Sequence, residues 1–194
     1  MTQNASVLDL RVRRTRMLLR NALIELTVEQ GFAAVTVQQI TERAMVNRAT
    51  FYRHYTDKYD LVMSNVRELV DELGPYEEPY GPPALRHLLE HIVEHAKFYR
   101  IILGKDGMAP FSAHIRSYVE QHLRMRLEAM TYDPARMRVP LDLCISFMAN
   151  AMLGTITWWL EHDLPYTAEQ MALWLPQLNV HGLSYGLGTD IHHI

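Results

Sequence analysis

The sequence predicts an all-α fold in two parts, a small head over residues 1–60 and a larger helical domain over residues 61–194. Three observations predict it. Apolar residues recur at three- and four-residue spacing along nearly the whole chain, with no period-two alternation that would mark a strand, no internal repeat and no low-complexity run. Residues 36–61 carry two short helices, a tight turn and the start of a third helix, the spacing of a helix-turn-helix. Charge divides along the same line: residues 1–60 hold nine Arg and Lys against six Asp and Glu, net +3, whereas the remainder holds ten against sixteen, net −6. An acidic whole with a basic end suits localised contact with DNA and argues against general coating of nucleic acid.

The first helix is expected over residues 8–30, stopped by Gly31, with Arg11, Arg13, Arg14, Arg16 and Arg20 crowded near its start as candidate phosphate contacts or a solvated arm. Thr36 followed three residues later by Gln39 is a capping box, so a second helix starts at Val37 with Val37, Ile40 and Ala44 facing inward. Met45 and Val46 make the turn. Asn47 then caps a third helix over residues 48–54, which turns Phe51 toward its supports and leaves Arg48, Thr50, Tyr52 and His54 for the outside and the helix ends. Arginine can pair bidentately with guanine and threonine can touch base edges or a thymine methyl. Tyr52, His54 and Lys58, the last just after the Asp57 cap of the fourth helix, are expected to meet phosphates.

Residues 11–61 resemble the N-terminal domain of the tetracycline-repressor (TetR) family of bacterial regulators, through Glu29-Gln-Gly31-Phe32, Thr36-Val-Gln-Gln-Ile40, Ala44, and Ala49-Thr-Phe-Tyr52-Arg-His-Tyr55 leading into Asp57-Lys58. Met45 stands where such proteins usually have glycine, and Ala49 where glycine or proline is frequent. The resemblance implies a DNA-binding set of Thr36, Asn47, Arg48, Ala49, Thr50, Tyr52, His54 and Lys58 acting on a double-stranded operator. Residues 98–171 are similar to a TetR subgroup that includes the coactivator of dihydroxyacetone kinase genes, through Phe98-Tyr99-Arg100, Leu103-Gly104 and Trp158-Trp-Leu-Glu-His-Asp-Leu-Pro165-Tyr.

The fourth helix is expected over residues 58–73, stopped by Gly74-Pro75, and residues 74–83 read as a loop. Further helices are expected over residues 84–103, 110–130, 140–162 and 167–187, with Pro176 kinking or splitting the last. Residues 147–160 are apolar nearly all round, which predicts a homodimer interface with Ala151 and Gly154 permitting close helix crossing and Trp158 beside them. The resemblance implies a four-helix bundle between subunits and a small-molecule effector in the larger domain. Phe98, Met108, Phe111, Tyr118, Phe147, Met148, Met152 and Trp158 are the candidate pocket lining, each of them equally able to serve as core.

His87, His91 and His95 recur at four-residue spacing, one above another by about 6 Å along a helix. Two neighbours could chelate zinc, with Glu94 or a residue from another helix as a third ligand. The apolar stripe of Leu85, Leu88, Leu89 and Ile92 is centred away from His87, so the ladder reads as a helix face with His91 and His95 as weak metal candidates, and no cofactor is expected. The His192-His193 pair reads as a tail. Cys144 is the one cysteine, which excludes an internal disulfide and fits a reducing compartment. Residues 1–10 have no apolar run of the kind a signal peptide carries. Residues 139–160 are membrane-like in length but contain Asp142 and Asn150, so no membrane partner is expected and the location is cytoplasmic. With no phosphate loop, nucleophile elbow or carboxylate pair at motif spacing, enzymes are disfavoured, and the alternative to a DNA-reading regulator is a coactivator or interaction module.

Overall fold

The computed structural model describes residues 2–71, 82–104, 109–128 and 137–187, with side chains over 10–71, 84–104, 111–128 and 137–179. Among the described residues every regular element is helical: α1 (Thr2–Gln30), a single 3-10 turn (Phe32–Ala34), α2 (Val37–Arg43), α3 (Arg48–His54), α4 (Lys58–Asp71), α5 (Pro82–Glu94), α6 (Ala96–Leu103), α7 (Ala109–Glu128), α8 (Leu141–Glu161) and α9 (Ala168–Leu187). The chain forms two compact units, Met1–Val66 and Arg67–Ile194, so the division falls inside α4. The expected chain stop at Gly74-Pro75, the loop over 74–81 and the His192-His193 tail lie outside the described residues.

In the first unit, α1 ends where Gly31 adopts φ 78°, a backbone region that costs glycine nothing. Arg43 of α2 reaches back to α1, where it forms a bidentate pair with Glu29 (2.8 and 2.9 Å) and a third hydrogen bond to Glu25 at 3.0 Å. Leu19, Leu23, Ile40, Phe51 and Leu61 close the core at 2 % exposure or less. Each comes from a different turn of α1 to α4, so burial of this shared apolar face, and not helix propensity, holds such short helices.

In the second unit, α5 packs on α9, α6 on α8, and α8 also on α7 and α9. The expected single helix over 84–103 is two, broken at His95 (φ −110°, ψ 31°). The apolar spacing runs through the break and hides it; the bend lets α5 follow α9 while Phe98 and Ile102 of α6 turn toward α8. The loop expected up to residue 83 ends sooner, because Pro82 opens α5, a place where its missing N–H and fixed φ are suited to a first turn. Pro176 does not split α9, whose packing on α5 and α8 offsets the one backbone hydrogen bond that proline removes.

The motif residues of the second half form a clasp. Arg100 donates from Nε to the Leu160 carbonyl (2.6 Å) and pairs through Nη2 with Asp163 (2.9 Å), and Trp159 Nε1 donates to the Tyr166 carbonyl (2.9 Å). Asp163 and Leu164 take φ of 57° and 55° in the turn between α8 and α9 that this clasp holds. A Cβ on Gly104 would collide with the Arg100 carbonyl oxygen, which is why glycine ends α6. Residues of the family-like motif thus hold the turn between α8 and α9 in place.

Candidate functional site

The helix-turn-helix begins at the capping box. Thr36 Oγ1 accepts from the Gln39 N–H (3.2 Å), and Gln39 Oε1 accepts from the Thr36 N–H (2.9 Å), satisfying two N-terminal donors at once. The Thr36 hydroxyl also donates to Gln39 (3.0 Å), so this residue of the expected DNA-binding set works inside its own cap. Met45 sits in the turn at φ 52° and 91 % exposure. Asn47 Oδ1 accepts from the Ala49 N–H at 2.8 Å, which fixes the first turn of α3.

On α3, Phe51 is completely buried and packs edge-on against Tyr52 and at a tilt against Tyr55. That fixes the rotation of the helix. Arg48, Ala49, Tyr52 and Arg53 are exposed, and Thr50 is half-buried. Arg48 lies over the Tyr52 ring (5.5 Å to its centroid) and its Nη2 donates to the Tyr52 hydroxyl at 3.2 Å, so a cation and a phenol stand together one turn apart. Arg53 was absent from the sequence-derived set. Its signal was the spacing of 48, 49, 52 and 53, one stripe on a helix of 3.6 residues per turn.

Two members of that set do not face outward as expected. Lys58 Nζ donates to three carbonyls, those of Phe32 (2.8 Å), Ala33 (3.1 Å) and Val35 (2.7 Å), and lies 4.7 Å from the Phe32 ring centroid. An ammonium has three hydrogens, and all are used, so in the absence of DNA Lys58 clamps the segment that follows α1. Burial pushes its pKa below the ordinary lysine value. His54 is half-buried with Nε2 inside and tilted against Tyr55, and burial, then the positive charges of Arg53 and Arg16, push its pKa below that of an ordinary histidine. Among the basic residues of α1, Arg11, Arg13, Arg14 and Arg16 are exposed on formed helix.

The pocket candidates differ in their surroundings. Phe98, Phe111, Met148 and Met152 are core residues, Tyr118 is half-buried with its hydroxyl donating to Asp71 (2.7 Å), and Phe147 is 55 % exposed on the outer face of α8. Met108 lies outside the described residues. A groove of about 280 Å³ opens between α6, α7 and α8, lined among others by Leu103, Ile115, Arg116, Leu153 and Glu161; of the candidates only Trp158 reaches it. The reason is that a helix apolar on every side does not reveal which side its neighbours cover. α8 is long and apolar enough to cross a membrane by length and composition, yet its inner face, from Ile145 to Leu160, is buried on α6, α7 and α9.

The outer face of α8 carries Leu143, Phe147, Gly154 and Trp158, all exposed, with Ala151 half-buried among them. Leu173, Trp174 and Leu178 of α9 are exposed as well. Trp158 stacks on His162 (4.6 Å between centroids), and Tyr166 meets Trp174 edge-on at 5.1 Å.

Comparison with known proteins agrees with this architecture. A family model described as "Bacterial regulatory proteins, tetR family" matches residues 19–64, and one described as "Transcriptional regulator C-terminal region" matches residues 82–179. The uncharacterized HTH-type transcriptional regulator YxbF of Bacillus subtilis (strain 168) is 37% identical over 71 residues, 34% of this chain and 19% of that protein. The match thus spans about a fifth of that relative's length. A TetR transcriptional regulator from Streptococcus agalactiae 2603V is 26% identical with a TM-score of 0.57, covering 90% of this chain and 98% of that one. The dihydroxyacetone kinase operon activator DhaS reaches a TM-score of 0.62 at 17% identity, over 89% of this chain and 98% of that one, a likeness of fold.

Proposed function

The chain belongs to the TetR family of transcriptional regulators, and on that premise we propose that it represses by reading a near-palindromic duplex operator as a cytoplasmic homodimer, and that a small molecule releases it. The observation that carries direct reading is the outer stripe of α3. Phe51 locks the helix from inside while Arg48, Tyr52 and Arg53 stand exposed in sequence on the other side, with the Arg48 guanidinium held over Tyr52. A guanidinium pre-positioned in this way offers a planar fork to guanine, and Tyr52 and Arg53 offer donors to flanking phosphates. A coactivator that does not touch DNA has no use for that stripe.

Dimerisation is supported by the exposed apolar side chains of Leu143, Phe147 and Trp158 on α8 and of Leu173, Trp174 and Leu178 on α9. Release by an effector is supported by the groove beside α8, whose volume lies near the lower end for small-molecule sites. The test is selection of bound fragments from a random duplex pool, followed by titration. Arg48→Ala is expected to relax preference at one base position by about 1 to 3 kcal/mol, and Arg53→Ala to weaken binding to all sequences alike. A native protein that selects no sequence, together with an Arg48→Ala variant that binds as the native one does, refutes the reading in favour of the coactivator.

A further inference from the structure

The end of α5 holds a group of side chains that DNA reading does not employ. His91, Glu94 and His95 each offer one ligand atom, and these atoms all lie within 4.8 Å of one another. The two imidazoles meet edge-on with centroids 4.6 Å apart, and His91 also sets its ring edge-on to Tyr99 at 5.9 Å. His91 and His95 are half-buried and Glu94 is exposed, so the group opens to water on one side. It sits on the bend between α5 and α6. The His95 N–H still donates to the His91 carbonyl (3.1 Å) and the His95 carbonyl still accepts from Tyr99 (3.1 Å), so one turn of helix spacing survives across the break.

We propose that His91, Glu94 and His95 form a binding site for a borderline divalent transition ion, of the class of Zn²⁺, Ni²⁺ and Cu²⁺. Two imidazoles and one carboxylate are the donor set such ions accept while keeping a position for water, whereas Mg²⁺ and Ca²⁺ require oxygen ligands throughout. With bond lengths near 2.0 to 2.1 Å, ligands around a tetrahedral ion stand about 3.4 Å apart, so rotation about the side-chain torsions closes the remaining distance without moving the backbone. His87, exposed one turn earlier, is outside the cluster; the ladder of three histidines in the sequence is not the site. An ion there would tie the last turn of α5 to the first residue of the bend, and would stiffen the junction between the helix that packs on α9 and the helix that packs on α8. The inference stands whether or not the protein reads DNA.

The experiment is calorimetric titration of the tag-free full chain with Zn²⁺, in a His192→Ala, His193→Ala background so that the terminal pair contributes nothing. Saturation at one ion per chain is expected. His91→Ala and His95→Gln are each expected to weaken binding by about tenfold or more, Glu94→Gln by less, and His87→Ala not at all. As a readout independent of these variants, paramagnetic resonance of the same background loaded with Cu²⁺ is expected to show coupling to two imidazole nitrogens. Absence of saturable binding, binding undiminished by a His91→Ala, His95→Gln double substitution, or a Cu²⁺ spectrum without two imidazole nitrogens overturns the proposal.

Discussion

The Lys58 ammonium and the carbonyls of Phe32, Ala33 and Val35 tie the start of α4 to the segment that follows α1. Hydrogen bonds from a charged donor are worth more than neutral ones, and three acceptors are left without it when the lysine is removed. Lys58→Met is therefore expected to lower the stability of the first unit by about 2 kcal/mol, read as a lower urea midpoint by circular dichroism. It is expected to leave the dependence of DNA affinity on salt unchanged under conditions where the variant is folded. A reduced salt dependence with unchanged stability would return Lys58 to the phosphate backbone. His54 makes a pH prediction of definite sign. Its folded pKa lies below the value of about 6.5 that it has when unfolded, chiefly through burial, so the unfolded chain takes up the proton first as the solution is acidified. Stability is complete above the unfolded pKa and falls as pH drops through that value toward the folded pKa. His54→Gln is expected to flatten the loss in urea midpoint between about pH 7.5 and about pH 5.5, and an unaltered slope would assign it to other groups.

The turn from α2 to α3 is the element on which the reading head depends, and it is built with a residue that resists it. Met45 adopts φ 52° with its side chain 91 % exposed, so it pays a left-handed backbone penalty and gains no burial in return. Met45→Gly is expected to stabilise the unit by about 0.5 to 1 kcal/mol, the penalty removed being partly offset by the extra freedom glycine gives the unfolded chain. Thermal denaturation checks it; a lower midpoint would mean that the methionine makes contacts the backbone argument omits. The bounds of α2 and α3 were legible in the sequence because Thr36, Gln39 and Asn47 act on backbone groups two or three residues away. The inward turn of Lys58 was not, since its acceptors lie 23 to 26 residues earlier in the chain. Nor was the bend at His95, which no glycine or proline announces and which the diverging partners of α5 and α6 impose. The inward side of α8 was not legible either: periodicity gives a face to a helix, but α8 is apolar on both of its faces, and only the packed neighbours say which one is inside.

At the scale of the whole molecule, the proposed pairing of two chains rests on the outward stripe of α8. Gly154 is exposed there, and a Cβ built on it meets nothing within 4 Å. An arginine at this position therefore has room for its Cβ beside the groove that Gly154 also lines, and against a partner it would leave a charge buried and unpaired. Gly154→Arg is expected to be a folded monomer in sedimentation equilibrium while the native chain is a dimer. Its affinity for the operator is expected to fall by about 100-fold, because the second head loses its effective concentration. A variant that still dimerises places the interface elsewhere. The distribution of tryptophan over the chain has a practical consequence for all of these measurements. Trp158, Trp159 and Trp174 are the only three in the sequence, and all belong to the second unit. Indole emission thus arises from the second unit alone, and the aromatic reporters of the head are Tyr52, Tyr55 and Tyr59. Trp159 is sealed in the core and reports the folding of its own unit, whereas Trp158 and Trp174 are 42 % and 38 % exposed and would shift to the blue as a second chain covers them. Amide dichroism sums the helices of both units, so a transition seen there and not in the indole emission belongs to the head.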